Sequence, residues 1–159
     1  MEKMKRVTDS RIEWFKCVQY EDINRNNKLF GGRLMCWMDE VAGIAAMRHA
    51  GMQVTTAAVD NLQFKKSAVL GDILVIEAKI THVGNSSMEV RVDVFREEPS
   101  DGLRYVINRA YFTEVCIDEQ GRPVKVPYGL LLESEVDRAE WDNAKRRIEM
   151  RKERRKEGY

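Results

Sequence analysis

Residues 33–51, RLMCWMDEVAGIAAMRHAG, constrain this chain more than any other segment. They are good helix formers, rich in Ala, Leu and Met, with Gly31-Gly32 in front and Gly51 behind. That punctuation predicts a helix of about five turns starting directly after the two glycines. Its apolar positions (Leu34, Met35, Trp37, Met38, Val41, Ala42, Ile44, Ala45 and Ala46) cover most of the circumference rather than one stripe. A helix apolar nearly all round is expected to be buried, so the rest of the chain must wrap it.

The flanking segments supply strands to do so. Ile12, Trp14, Phe15, Val18 and Tyr20 mark a strand-like stretch over residues 11–20, followed by a polar loop, EDINRNNKLFGG. After the helix, residues 54–64 are β-branched, and residues 73–82 alternate Leu74, Ile76, Ala78 and Ile80 against Ile73, Val75, Glu77 and Lys79. Gly84-Asn85 signals a hairpin, and Val90, Val92 and Val94 put one apolar face on residues 88–96. Residues 104–117 form a long last strand. One strand, one buried helix and four more strands make an α+β pattern, an antiparallel sheet curled around the central helix. This unit is expected to span residues 1–130. Residues 131–159 are expected to form a charged helical C-terminal extension, solvated and packing weakly.

The bulk numbers narrow the function. A formal net charge of +1 over 159 residues gives no general attraction to nucleic acid or membrane. The basic run from Lys145 to Lys156 is interrupted by Glu149 and Glu153 and carries no interleaved aromatics for base stacking. No stretch approaches a membrane span, and the basic N-terminus MEKMKRVTDS has no apolar run behind it, so neither membrane insertion nor a secretory signal is expected. Cys17, Cys36 and Cys116 are too scattered for a metal site or a disulfide framework, which suits buried thiols in a reducing cytoplasm.

Asp39 is the anomaly in the apolar helix. A buried carboxylate without partners is expensive. Asp39 could instead face solvent at a thin edge or pair with Arg48 or Lys65, and Glu40 competes for any functional role. The helix start offers a complementary group. Its first amides have no intrahelical acceptor, and Gly31 and Gly32 let a ligand approach them closely. Amides there, aided by the helix dipole, suit a developing oxyanion, and a carboxylate able to activate water completes a minimal kit for acyl hydrolysis. Asp39 lies two turns from Gly32, roughly 10 Å along the axis at ~1.5 Å per residue. One carbonyl cannot reach both within one chain. Either the two are unrelated or two subunits build the site.

The stretch from Asn24 to Gly51, with its FGG turn and MDEVAG helix, resembles the helix signature of acyl-CoA thioesterases of the cytosolic acyl-CoA hydrolase type. VTTAAVDNLQFKKSAVLGD and GNSSMEVRVDV resemble the strands that follow it, and the resemblance runs from about Ile12 to Pro127. It implies a hotdog fold, dimers assembled as trimers of dimers, and hydrolysis of acyl-CoA to free acid and coenzyme A, with no cofactor beyond that substrate. It also implies that Asp39 of one subunit activates water while Asn24 of the other positions it or the thioester, the carbonyl resting on Gly31 and Gly32. Asn27 stands where the family commonly has Gly; Asn tolerates the left-handed backbone best after Gly, so the turn is expected to survive. Phe30 replaces a His found in some members.

Coenzyme A carries phosphates, so Arg48, Lys65 and Lys66 are candidate contacts, with Thr56, Ser86 and Ser87 as hydroxyl or backbone donors. Met35, Trp37, Met38 and Phe64 are expected to size the acyl tunnel. Three rivals stand beside hydrolysis by Asp39. A dehydratase needs a His, but His49 and His82 sit at element ends. A non-catalytic acyl-CoA binder has no need of the carboxylate. Catalysis by Cys36 lacks a neighbouring base.

Overall fold

The structure, a computed structural model, describes residues 3–159; Met1 and Glu2, the start of the basic N-terminal stretch, lie outside them. Along the chain run β1 (Met4–Arg6), α1 (Val7–Ser10), β2 (Ile12–Cys17), a single 3-10 turn (Tyr20–Asp22), α2 (Gly31–Ala50), β3 (Val54–Asp60), β4 (Ile73–Val83), β5 (Ser87–Glu97), β6 (Arg104–Cys116), β7 (Gly129–Leu131) and α3 (Glu135–Glu157). Five strands form one antiparallel sheet in the order β2-β4-β5-β6-β3. The sheet curls around α2, as the sequence pattern predicts: this is the hotdog arrangement. β1 and β7 form a separate parallel pair that the sequence pattern does not reveal.

The core lies between α2 and the inner face of the sheet. Met38, Ala42, Ala45 and Ala46 of α2 meet Leu74, Ile76, Ala78, Val90, Val92 and Val94, all removed from solvent. Small residues on α2 let the helix sit close to the pleated surface. Two contacts fix its C-terminal end. Gly51 adopts the left-handed conformation (φ 70°), and its amide donates to Met47 O at 2.7 Å. Lys5 Nζ donates to the carbonyls of Arg48 and His49 at 2.7 and 2.8 Å, a cation on the negative end of the helix dipole.

Three expectations fail here. Gly31 and Gly32 are the first residues of α2, not its preamble. The helix is also not buried all round: Met35, Asp39, Glu40, Ile44 and Met47 form a face left open, because a single sheet covers only one side of it. Of the cysteines, only Cys116 is buried; Cys17 and Cys36 are exposed.

The C-terminal helix departs from expectation too. α3 opens on a capping box, Ser134 Oγ accepting from the Asp137 amide at 3.0 Å and Asp137 Oδ2 from the Ser134 amide at 3.1 Å. It packs on the outer face of the sheet, which is built from charges. Arg147 makes a two-pronged contact with Glu89, itself only 2% exposed, and lies 3.6 Å over the Tyr111 ring. Arg151 and Arg154 both engage Asp60, and Arg91 pairs with Asp93 and Glu140. The run that looks like a solvated basic tail is a set of counter-charges for buried carboxylates.

Candidate active site

Asp39 sits on the open face of α2, exposed in the single chain rather than buried. Neither Arg48 nor Lys65 pairs with it among the described contacts. Its partner is Thr56 on β3, whose hydroxyl donates to Asp39 Oδ1 at 2.6 Å. The same hydroxyl lies 3.0 Å from Oε1 of Glu114 on β6, the residue directly across the ladder from Thr56. A register shift between Thr56 and Ala58 turns the edge strand here; such bulges re-aim side chains. Asp39, Glu40, Gly43, Ile44, Met47, Thr56 and Glu114 line one open cavity of about 500 Å³.

Glu114 is not among the residues that the sequence singles out, yet a signal is there. It shares the inward stripe of β6 with Ala110, Phe112 and Cys116, all fully or almost fully buried. A carboxylate in such a stripe breaks the alternation. Burial, foremost, raises the Glu114 pKa to about 7; Thr56 opposes the shift and the nearby Asp39 charge adds to it.

The start of α2 forms a second cavity, about 190 Å³, lined by Asn24, Lys28, Gly31, Leu34, Phe64 and Lys66 among others. The residue before the helix is Phe30, which cannot cap it, so the first amides keep no side-chain acceptor. Phe64 lies so close to Gly31 that a Cβ there would come within 3.3 Å of its ring. Asn24 is held in a tight turn: its Oδ1 accepts from the amides of Asn26 and Lys28 at 2.9 and 3.3 Å. Asn27 takes the left-handed backbone expected of it (φ 57°), so the turn survives the absence of Gly.

The sequence-predicted residues therefore fall into two groups within one chain. Asn24, Gly31, Phe64 and Lys66 share the helix-start cavity, while Asp39 and Thr56 share the other. Lys65 lines a neighbouring cleft with Lys66. Ser86 and Ser87 close the β4–β5 hairpin at the end of the sheet that carries Thr56 and Glu114. Arg48 donates to Arg11 O at 3.0 Å from the far end of α2, away from both cavities. Of the tunnel candidates, Trp37 and Met38 are core residues, and Met35 and Phe64 are exposed.

The fold and these residues have close counterparts. The chain is 38% identical to the acyl-CoA hydrolase of Staphylococcus aureus solved with butyryl coenzyme A, coenzyme A and coenzyme A disulfide, with a TM-score of 0.90 over 97% of this chain and 93% of that one. The thioesterase superfamily description matches residues 26–102. The chain belongs to the thioesterase superfamily.

As a member of that superfamily it also resembles an acyl-CoA thioester hydrolase of Bacillus subtilis, YkhA, at 41% identity over 67% of this chain and 62% of the relative. To the cytosolic acyl coenzyme A thioester hydrolase of Rattus norvegicus it is 34% identical over 89% of this chain, spanning 37% of that protein's length. A hexameric acyl-CoA thioesterase superposes at a TM-score of 0.89 with 36% identity, covering 96% of this chain and 97% of that one. The S. aureus enzyme has further been solved as single alanine variants of an Asn, an Asp and a Thr.

The thioesterase superfamily hosts other chemistries in principle, but the histidines here are engaged elsewhere. His49 is buried between Ser10 Oγ (3.3 Å) and Tyr128 O (3.2 Å), and His82 stacks on Trp141 at 4.1 Å. Burial lowers the pKa of both below the ordinary imidazole value. Neither lines the Asp39 cavity or the helix-start cavity.

Proposed function

We propose that the chain hydrolyses acyl-CoA thioesters to the free acid and coenzyme A, using water activated by Asp39. The observation that carries this reading is the Asp39 carboxylate, held by Thr56 on an otherwise apolar open helix face beside a roomy cavity. Asp39 takes a proton from water as the hydroxide forms a bond to the thioester carbonyl carbon. The carbonyl oxygen, now negative, rests on the Gly31 and Gly32 amides, which stabilise charge that develops only in the transition state. Collapse expels the coenzyme A thiolate, and the proton held by Asp39 goes to that sulfur. Asn24 orients the water or the thioester.

Support for a site shared between subunits comes from the separation of the two groups into different cavities. It comes as well from Met35, Ile44 and Met47, exposed on the Asp39 face beside the edge strand β3. A second copy covering that face would bring its Asn24, Gly31 and Gly32 to this Asp39. The hexameric relative supports a trimer of such dimers. In the S. aureus enzyme the Asn, Asp and Thr changed to alanine are separated in sequence by the same intervals as Asn24, Asp39 and Thr56. Lys65 and Lys66 are the best-placed cations for the coenzyme A phosphates, with Ser86, Ser87 and Thr56 as hydroxyl donors and Arg48 more remote. No helix of the described residues is long and apolar enough to cross a membrane. A cytoplasmic setting accords with the unpaired cysteines and with the cytosolic relative.

The test is complementation. Asn24→Ala and Asp39→Ala are each expected to be inactive in release of free coenzyme A from a panel of short, medium, long and aromatic acyl-CoAs. Mixed and reassorted at random, half of the dimers become hybrids with one intact site each, restoring about a quarter of parent activity. No recovery would show that each chain carries a complete site.

A further inference from the structure

The Thr56 hydroxyl carries one proton and has two carboxyl groups within hydrogen-bond distance, Asp39 at 2.6 Å and Glu114 at 3.0 Å. If the proton points to Asp39, the shorter contact, Glu114 can bond to Thr56 only by donating a proton of its own. Glu114 is 1% exposed, and its second oxygen, Oε2, is buried with no partner among the described residues. An ionised group so placed is costly; a neutral one is not.

We propose that Glu114 is a positioning residue for Asp39: its carboxylic acid donates to Thr56, and Thr56 in turn donates to Asp39. The inference rests on Asp39 being the group that activates water. A chain of donors running one way strengthens each link, so a neutral Glu114 fixes the Thr56 proton toward Asp39 and aims that carboxylate. When Glu114 ionises, two carboxylates compete for one hydroxyl proton and repel each other, and Asp39 loses its fixed aim. The groups facing Glu114 leave it no other titrating partner. From α2 they are Asp39 and Glu40; from β3, Thr56; from β5, the apolar Met88 opposite it. On β6 its inward neighbours are Phe112 and Cys116, whose thiol burial pushes up and keeps neutral. Across the sheet, Glu89 is already engaged by Arg147. Burial, aided by Asp39, raises the Glu114 pKa to about 7, so the switch falls in a measurable range.

The experiment is the pH profile of kcat for coenzyme A release by the full-length parent, Glu114→Gln and Asp39→Ala, with infrared titration of the carboxyl band. The parent is expected to drop about threefold or more in a step centred near pH 7 and then level off. Glu114→Gln keeps an N–H donor toward Thr56 that does not titrate, so its step should vanish, and a protonated-carboxyl band lost near pH 7 should be missing from its spectrum. The proposal is overturned if Glu114→Gln keeps the parent's step, or if the parent shows neither step nor band while Asp39→Ala is inactive. Substantial turnover by Asp39→Ala would instead remove the reading of the site on which the proposal stands.

Discussion

Asp39→Ala is expected to lower kcat for acyl-CoA hydrolysis by about 10²–10⁴-fold, the range lost with a positioned general base. The fold should not suffer, because Asp39 is exposed in the middle of α2 and Ala is the best helix former. Sedimentation should therefore report the parent's oligomer. KM should change little, since the carboxylate acts on water and not on ground-state binding. Steady-state kinetics with acyl-CoA and a thiol reagent measures both constants. Turnover within tenfold of the parent would remove Asp39 from the mechanism.

The largest structural effect is expected from Arg147→Ala. Glu89 is buried, accepts two bonds from Arg147, and also receives the Thr81 hydroxyl at 2.7 Å. Removing the cation leaves a carboxylate out of water without its counter-charge, and breaking a buried pair from one side typically costs about 3–5 kcal/mol. The lost contact with the Tyr111 ring adds to this. Tm should fall by about 6–12 °C. Lys152→Ala, on the same helix, is the control, because its bond to Glu149 is exposed and worth little. Equal losses in the two variants would mean that α3 is held by something other than its arginines.

Glu114→Gln should also change stability in a defined direction. In the unfolded chain Glu114 releases its proton near 4.5, but in the folded one only near 7. Between those values the folded state holds more protons, so its stability falls as pH rises. Glutamine carries no such penalty. At pH above 7 the variant should be more stable than the parent by something on the order of 3 kcal/mol, since each tenfold difference in proton affinity is worth about 1.4 kcal/mol. The difference should vanish below pH 4.5. Urea unfolding at the two extremes checks it, and a variant less stable at high pH would contradict the sign.

Much of this architecture was legible in the sequence because it follows from period and punctuation. The valines of β5, the alternation in β4 and the glycines around α2 each encode an element locally. The pairing of Gly32 with Asp39 at two turns also foretold two separate half-sites. What could not be read depended on neighbours distant in sequence. The face carrying Glu89, Arg91 and Asp93 looked like an ordinary solvated strand face; only α3, some fifty residues later, makes it interior. β1 and β7 are three residues each, too short to show a period, and define each other by pairing. Glu114 acquires its meaning from Thr56 across the ladder and Asp39 across the cavity. The exposure of Met35, Ile44 and Met47 escaped notice because composition reports that a face is apolar, not what covers it.

The charged outer face under α3 has a consequence for how the molecule fails. Should α3 peel back, it uncovers chiefly carboxylates and guanidinium groups, which water solvates at once, rather than a broad sheet of hydrocarbon. Excursions of the C-terminus are therefore self-limiting: the opened form has little that is adhesive to offer a neighbour, and reclosure competes only with hydration. In a crowded solution the chain can breathe at this end without seeding a clump.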